Sequence, residues 1–397
     1  MHAFPAPEFV AVPPSFAVVA PADGAAATPL LFTPLKLRGV TLKNRIGFSP
    51  MSTFSAQDGF FNMFHATHLG KYALYGAGLI MTESTSVHEY GRTSNSCTGL
   101  WKDEHVAPLR EIADFAHTQG AKLGVQLNHS GRRAGHYGYY YPASKRRAGA
   151  VVVPAEDGGW PEQIIAPSAV PATESEGAAR EATLDEIAEV VAAFGHAARR
   201  ANEAGVDVLE LQGAHGFLIH QFLSPVTNQR TDAYGGSFEN RVRFLVEVVR
   251  EVRKFWPADK PLFVRLSVTD WVEGGWSSAD TVQVVKALSE LDVDLVDCSS
   301  GGIVPVGGVP QNKHTPGWIV PFSHDIKQGV AGMHTAVVGG ITEAAHAESI
   351  LQDGDADVVL LARELQRNPT WVWHAAEKLG VKLAPAAQYR AGFIPRK

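Results

Sequence analysis

The feature that most constrains this chain is an eightfold alternation between short apolar runs and longer amphipathic segments, which starts near residue 30. Most of the runs are almost continuously apolar, as strands buried on both faces must be. Eight such units favour a closed barrel over a doubly wound sheet, and no Gly-x-Gly-x-x-Gly motif follows an early run. The predicted strands are Arg45–Ser49, Leu79–Thr82, Leu123–Leu127, Val206–Leu211, Leu262–Leu266, Leu295–Cys298, Ala336–Val338 and Val358–Leu361. We therefore predict an α/β fold, a (β/α)8 TIM barrel.

Three amphipathic segments predict helices most clearly. The segment Thr183–Ala204 opens with Thr-Leu-Asp-Glu, a capping-box pattern, and ends before a glycine. The other two are Phe238–Phe255 and Ala279–Leu291.

The rest of the chain is predicted to decorate one barrel domain, residues 30–397. Residues 1–29, rich in Pro and Ala, read as a flexible extension. Residues 30–44 read as a hairpin that turns at Arg38-Gly39 and caps the barrel bottom. Residues 128–182 form a long loop after the third strand, and loops of this length are usually functional. We expect it to act as a lid over the upper face through its aromatic residues Tyr137, Tyr139, Tyr140, Tyr141 and Trp160.

Composition excludes several classes of function. A net charge of −6 with a pI near 6.2 gives no reason to expect a nucleic acid partner. No uninterrupted apolar stretch is long enough to span a membrane. The two cysteines, Cys97 and Cys298, have neither disulfide nor metal-ligand spacing, so we expect no metal and a reducing, cytoplasmic location.

The last two predicted strands are followed by residues suited to bind a phosphate. Gly339 and Gly340 follow the seventh strand, and Ala362 and Arg363 follow the eighth. In β/α barrels this is the usual phosphate site, because glycine amides approach closely and a guanidinium offers a planar fork. An ordinary turn with a surface arginine is the alternative explanation.

Polar residues also occur at strand ends where a core strand would not need them: Gln126, Gln212, His215 and Arg265. A buried arginine without a partner is costly, so Arg265 should face negative charge. The pyrimidine edge of an isoalloxazine ring meets this requirement. An ion pair within the barrel mouth is the alternative.

Seven segments together resemble the old yellow enzymes, most closely their thermophilic-like branch. They are NRIGFSPM (44–51), GLIMTES (78–84), KLGVQLNHSGR (122–132), HGFLIHQFLSPVTNQRTDAYGGSFENR (215–241), PLFVRLSVTD (261–270), VDLVDCSSG (293–301) and VVLLARELQRNP (358–369). The resemblance covers residues 30–393. It implies an FMN enzyme, reduced by NADPH, that acts on the C=C bond of a small enone-like substrate, and it implies a homodimer.

The resemblance also assigns site residues. Ser49, Pro50, Met51 and Ser52 would run along the flavin, with Ser84 nearby, and Gln126 and Arg265 would bind its pyrimidine edge. Ser300 and Gly301 would lie near the ribityl chain, and Gly339, Gly340, Ala362 and Arg363 at the phosphate. Gln212 and His215 would grip the carbonyl oxygen of the substrate, with Phe54 and Phe217 beside it.

Five positions depart from the family pattern. Gln212 stands where His is usual, although its amide can still donate. Phe217 replaces the tyrosine that protonates the substrate carbon, and phenylalanine has no proton to give. Ser52 and Phe54 replace a flavin-tuning cysteine and a tyrosine. Ala391 stands where an arginine often enters the neighbouring subunit's site, with Arg390 adjacent.

Three functions follow from these departures. The first is an NADPH-driven ene-reductase whose proton comes from water or from a lid tyrosine, Tyr139 or Tyr141. The second is a redox-neutral isomerase, in which the hydride returns because nothing protonates the enolate. The third is an FMN-bound scaffold for cyclisation of a biosynthetic intermediate.

Overall fold

A computed structural model of the chain describes residues 27–138, 152–171, 179–304 and 315–393. Strands in these ranges are β1 (Leu35–Leu37), β2 (Val40–Leu42), β3 (Ile46–Phe48), β4 (Leu79–Ser86), β5 (Lys122–Asn128), β6 (Ile165–Ala166), β7 (Arg180–Glu181), β8 (Val208–Gly213), β9 (Leu262–Ser267), β10 (Leu295–Ser299), β11 (His334–Val337) and β12 (Val358–Leu361). Eight of them close a barrel in the order β3-β4-β5-β8-β9-β10-β11-β12, and all eight pairings are parallel. The predicted (β/α)8 barrel is confirmed.

Helices surround the barrel and return the chain from one strand to the next. They are α1 (Met63–Leu74), α2 (Val106–Thr118), α3 (Leu184–Glu203), α4 (Leu218–Leu223), α5 (Phe238–Phe255), α6 (Ser278–Ser289), α7 (Val320–Gly329), α8 (Ala344–Gln352), α9 (Arg363–Arg367) and α10 (Trp371–Lys378). The predicted capping box is present at α3, where Thr183 accepts from the Glu186 backbone N–H and the Glu186 side chain accepts from the Thr183 N–H.

The N-terminal hairpin forms the floor of the barrel, as predicted. Strands β1 and β2 pair antiparallel across Arg38-Gly39, and Arg38 adopts φ 52°. The guanidinium of Arg38 contacts Asp292 and Asp294 at the start of β10. Apolar residues of the hairpin pack on inward side chains of the barrel strands in one buried cluster: Leu35, Leu37, Val40, Leu42, Leu79, Met81, Val208, Phe263, Leu295, Ala336, Val358 and Leu360. This cluster closes the bottom, so the polar residues of the barrel lie above it.

The long insertion between β5 and α3 has a small core of its own. Strands β6 and β7 pair, and Trp160 packs with Ala134, Ile164, Ala166 and Ala179. The indole N–H of Trp160 donates to the Tyr90 carbonyl. Trp160 therefore holds the insertion together from within. The Tyr137 hydroxyl donates to Asp157, while Tyr139, Tyr140 and Tyr141 lie outside the described residues.

Some element boundaries match the predicted ones, and the others differ from them by one to four residues for local reasons. Strand β8 begins at Val208 and not at Val206, because the Asp207 carboxylate binds Lys122 and the Leu123 N–H. Strand β11 ends at Val337, because the chain then enters the turn at Gly339. In the described part of the chain, no helix is long and apolar enough to cross a membrane.

Candidate active site

A cavity of about 220 Å³ opens at the carboxyl ends of the barrel strands. Predicted site residues line most of it: Pro50, Ser52, Ser84, Gln126, Gln212, His215, Phe217 and Arg265. They come from β3, β4, β5, β8 and β9 and the loops that follow, so the parallel barrel gathers them at one edge. Arg133 also lines the cavity and is absent from the sequence prediction.

Two predicted donors, Gln212 and His215, lie in contact on one wall. The Ala214 backbone N–H donates to the Gln212 Oε1 at 3.1 Å, which fixes the orientation of the amide. The Gln212 Nε2 then donates to the Gln126 Oε1 at 3.1 Å, and it lies 3.4 Å from the His215 Nδ1. The longer contact is the weaker one, so a substrate oxygen could replace it.

The imidazole of His215 is held neutral. Burial lowers its pKa well below the usual value, and the charges of Arg265, His220 and Arg133 lower it further. Its Nε2 lies 2.5 Å from the Ser299 hydroxyl, which can donate or accept and so satisfies either neutral tautomer. The site thus offers an uncharged donor on a rigid support.

The backbone at His215 is in the left-handed region, at φ 60°. Its N–H donates to the Ser267 hydroxyl, and its carbonyl accepts from the Arg133 guanidinium at 2.8 Å. Gly302 packs directly against it, since an added Cβ there would lie 2.3 Å from the His215 carbonyl carbon. Together these contacts hold the backbone of His215 in this conformation and direct its ring into the cavity.

Phe217 lies at the cavity edge as a purely apolar residue. It is the N-terminal cap residue of α4 and makes no side-chain capping bond. The Arg133 guanidinium lies over its ring, 5.9 Å from the centroid. The Phe217 ring carries no hydroxyl, so this residue has no proton to donate.

Arg265 faces both the cavity and a carboxylate. Its Nε is 3.0 Å from the Asp297 Oδ2, so the ion pair considered from the sequence is present. Neither terminal nitrogen hydrogen-bonds to a described residue, although the side chain is only 5% exposed. A buried guanidinium with open donors predicts a ligand that presents acceptors.

The residues predicted for the phosphate end meet beyond this cavity. Gly339 and Gly340 both have positive φ, at 134° and 65°. An added Cβ on Gly339 would lie 2.6 Å from the Trp318 indole nitrogen, so this turn has room only for glycine. Ala362 caps the short helix α9, which begins with the exposed Arg363.

The remaining predicted residues lie around the cavity. The Ser49 hydroxyl is buried and has no hydrogen-bond partner in the described part of the chain. Ser300 accepts from the Trp271 indole N–H at 2.9 Å, and Gly301 follows it with φ 68°. Met51 packs at the edge of the main core, and Phe54 has φ 54° next to the Glu83-bound Thr53.

These features fit a flavin mononucleotide. An acceptor-rich ring requires unsatisfied donors, such as the Arg265 guanidinium and the buried Ser49 hydroxyl. A dianionic phosphate requires the close backbone approach that the glycine turn allows. The model that describes the NADH:flavin oxidoreductase / NADH oxidase family matches residues 30–381. The chain belongs to this family.

Individual relatives agree with the family match. An NADPH dehydrogenase of Geobacillus sp. strain WCH70 is 43% identical over 92% of this chain and 98% of its own. Morphinone reductase in complex with tetrahydroNAD superposes with a TM-score of 0.70 at 26% identity, covering 91% of this chain and 94% of the other. An old yellow enzyme homologue from Zymomonas mobilis superposes with a TM-score of 0.71 at 27% identity, covering 88% and 93%.

The predicted old yellow enzyme resemblance is thereby confirmed, and with it the enzyme class. This NADH:flavin oxidoreductase family member is an FMN-dependent oxidoreductase that takes electrons from a reduced nicotinamide. The roles of individual residues, the homodimer and the cytoplasmic location stay predictions.

Four further residues of the site escaped the sequence prediction. Arg133 supports both His215 and Phe217, and the Ser299 hydroxyl contacts the imidazole Nε2. Glu210 and Asp297 lie buried inside strands β8 and β10. A charged residue within an apolar strand was the signal that revealed Arg265, and the same signal applies to these two acids.

Proposed function

We propose that this enzyme uses NADPH and FMN to reduce the C=C bond of an α,β-unsaturated carbonyl compound. The observation that carries the proposal is the pair formed by Gln212 and His215 on the cavity wall, a neutral amide beside a neutral imidazole. Two neutral N–H donors can hold a carbonyl oxygen and stabilise the negative charge that grows on it as hydride adds at the β carbon.

The cofactor would lie in the same cavity, beside this pair of donors. The terminal nitrogens of Arg265 and the amide of Gln126 would bind the pyrimidine edge, Ser49 to Ser52 and Ser84 would run along the ring, and Ser300 and Gly301 would lie near the ribityl chain. Gly339, Gly340, Ala362 and Arg363 would hold the phosphate. When bound, FMN supplies the hydride. The protein binds and orients the substrate and excludes water.

Phe217 favours a second candidate, redox-neutral isomerisation. Because this side chain lines the cavity and carries no proton, the enolate formed by hydride addition could rotate and return the hydride. The net result would be an α,β double bond of inverted geometry, with no nicotinamide consumed.

One anaerobic experiment separates the two. The purified enzyme is reduced with NADPH, and a panel of enones is added while flavin reoxidation and product mass are followed. Reoxidation with a product two hydrogens heavier supports reduction. An isomer of unchanged mass, formed while the flavin stays reduced, supports isomerisation. Recovery of every enone unreacted, with the flavin still reduced, contradicts both.

The substitution Phe217→Tyr sharpens this test by restoring a phenolic proton at the cavity edge. Under the isomerase hypothesis it converts isomerisation into net reduction. Under the reductase hypothesis it accelerates a reduction that wild type already performs, by about 10²-fold if proton transfer limits the rate. The matched control is Phe217→Leu, which leaves the site without a proton donor.

A further inference from the structure

Beneath the candidate flavin edge, three charged side chains occupy the inside of neighbouring strands. Arg265 on β9 pairs in register with Asp297 on β10 and with Gln212 on β8, and Glu210 lies two residues before Gln212. Glu210 and Asp297 are fully buried, and Arg265 is 4% exposed as a whole residue. Two buried carboxyl groups therefore lie near one guanidinium, and of the two, Asp297 is the one at ion-pair distance from it.

The hydrogen bonds in this layer do not satisfy two carboxylates. The Glu210 Oε1 accepts from the Gln126 Nε2 at 2.7 Å. The Glu210 Oε2 and both carboxylate oxygens of Asp297 have no hydrogen-bond partner among the described residues. Although the Arg265 Nε is 3.0 Å from Asp297, this nitrogen also lacks an aligned hydrogen bond. Buried carboxylates normally accept several, so at least one donor is missing.

Among the residues that the structure describes, neighbouring elements supply no other charge that could fill this gap. The loop after β8 contributes His215, which burial keeps neutral. Strand β5 contributes the uncharged Gln126, and its Lys122 lies at the opposite end, bound to Asp207. The inward residues Met81, Ala336 and Leu360 of β4, β11 and β12 are apolar. The simplest missing donor is a proton on one of the two acids.

The direction of the pKa shifts agrees with this geometry. Burial raises the pKa of Glu210, and the nearby Asp297 raises it further. Burial also raises the pKa of Asp297, but Arg265 opposes that shift. Glu210 is therefore the acid and Asp297 the ionised partner of Arg265.

We infer that Glu210 and Asp297 hold one proton between them in the resting enzyme, and that with Arg265 they form a charge-neutral triad under the pyrimidine edge of the cofactor. The triad acts through Arg265 and Gln126, so Glu210 and Asp297 are positioning residues that control the charge at this edge. The inference needs bound FMN and does not depend on which substrate is reduced.

This arrangement predicts that the protonation of the Glu210 and Asp297 pair changes when the cofactor is reduced. Hydride transfer from the nicotinamide brings two electrons and one proton to the flavin and leaves negative charge beside Arg265. This charge favours the protonated form of the pair. Above the pH at which the oxidised enzyme loses the shared proton, reduction therefore takes up one further proton from water onto the pair.

The first test is infrared spectroscopy of the FMN-loaded enzyme at pH 7. A protonated carboxylic acid gives a carbonyl stretch separate from the carboxylate bands, and we expect this band in wild type and its loss in Glu210→Gln. The matched control is Asp207→Asn, which removes a buried carboxylate that His117 and Lys122 keep ionised. The band should survive there.

The second test is the midpoint potential of the bound flavin as a function of pH. Uptake of one additional proton per two electrons steepens the slope by about 30 mV per pH unit. We expect this extra slope in wild type at alkaline pH and its absence in Glu210→Gln. Wild type without a carboxylic acid band, or a Glu210→Gln enzyme that keeps both band and extra slope, would overturn the inference.

Two points keep these tests decisive. If Glu210→Gln does not fold or bind FMN, isotope labelling of glutamate carboxyls in wild type decides instead, since the acid band must then shift. Because neither test uses an enone, an enzyme that shows the band but reduces no enone contradicts only the proposed function.

Discussion

Removing the neutral imidazole of His215 is the most direct test of how the site activates its substrate. The substitution His215→Leu deletes one buried N–H donor and keeps a side chain of similar bulk at a left-handed backbone position. Loss of one such donor typically lowers kcat 10²- to 10³-fold, or about 2.7–4 kcal/mol. We expect the lower end, near 10²-fold, because the Gln212 amide remains and is freed from its 3.4 Å contact with the imidazole.

The assay is enone-dependent reoxidation of the reduced flavin in a rapid-mixing experiment, with FMN content and Tm measured in parallel. His215→Asn is the matched control, because asparagine tolerates positive φ and keeps an N–H donor. Its loss should be much smaller. A His215→Leu enzyme that holds FMN and turns over at the wild-type rate would refute the assignment of His215 as a donor.

The neutral imidazole of His215 also determines how the rate of flavin reoxidation by an enone depends on pH. Because burial depresses the pKa of His215 well below its usual value, the imidazole stays neutral through the weakly acidic range. Reoxidation by an enone should therefore show no change near pH 6.5, where an unperturbed histidine titrates. A rate that follows such a titration, and loses it in His215→Asn, would show that the imidazole is accessible to protons.

Three further outcomes follow from the structure. Gly339→Ala should lower the flavin-to-protein ratio of the purified enzyme, because the new Cβ would collide with Trp318 in the glycine turn; an unchanged ratio would place the phosphate elsewhere. His68 has its pKa lowered to about 4, chiefly by burial, so its stabilising effect is complete above pH 6.5 and disappears as the pH falls towards 4. The loss of folding free energy between pH 7 and pH 5, measured through the fall in Tm, should be about 2 kcal/mol smaller in His68→Phe than in wild type. Thr183→Ala should cost about 1 kcal/mol in urea unfolding, whereas Thr183→Ser should cost little, because only the alanine removes the cap of α3.

The barrel was predictable because its signals are local and repeated. A strand buried on both faces has to be apolar, and the turn residues between units are conspicuous, so all eight strands were found. Their ends were less certain, because side chains from neighbouring strands decide them: Asp207 caps β5 and so delays the start of β8.

The candidate site was predictable where a residue type is costly without a partner, as for Arg265. Arg133 carried no such signal, since an arginine in a polar loop is ordinary in sequence. Only the fold places its guanidinium against the His215 carbonyl and the Phe217 ring. For Trp160 the sequence indicated only an aromatic residue in the predicted lid, and the fold adds that it forms the core of the insertion.

The hairpin floor has a consequence for how the chain is made. Leu35, Leu37, Val40 and Leu42 leave the ribosome before the eight barrel strands do, but their packing partners extend to Leu360. More than 300 further residues must be synthesised before this apolar surface is fully covered. Since long-range contacts form late and exposed apolar segments aggregate, the hairpin is exposed for longer than the strands that cover it. Chaperone dependence during synthesis should therefore be greatest for the hairpin, although it is among the best packed parts of the finished barrel.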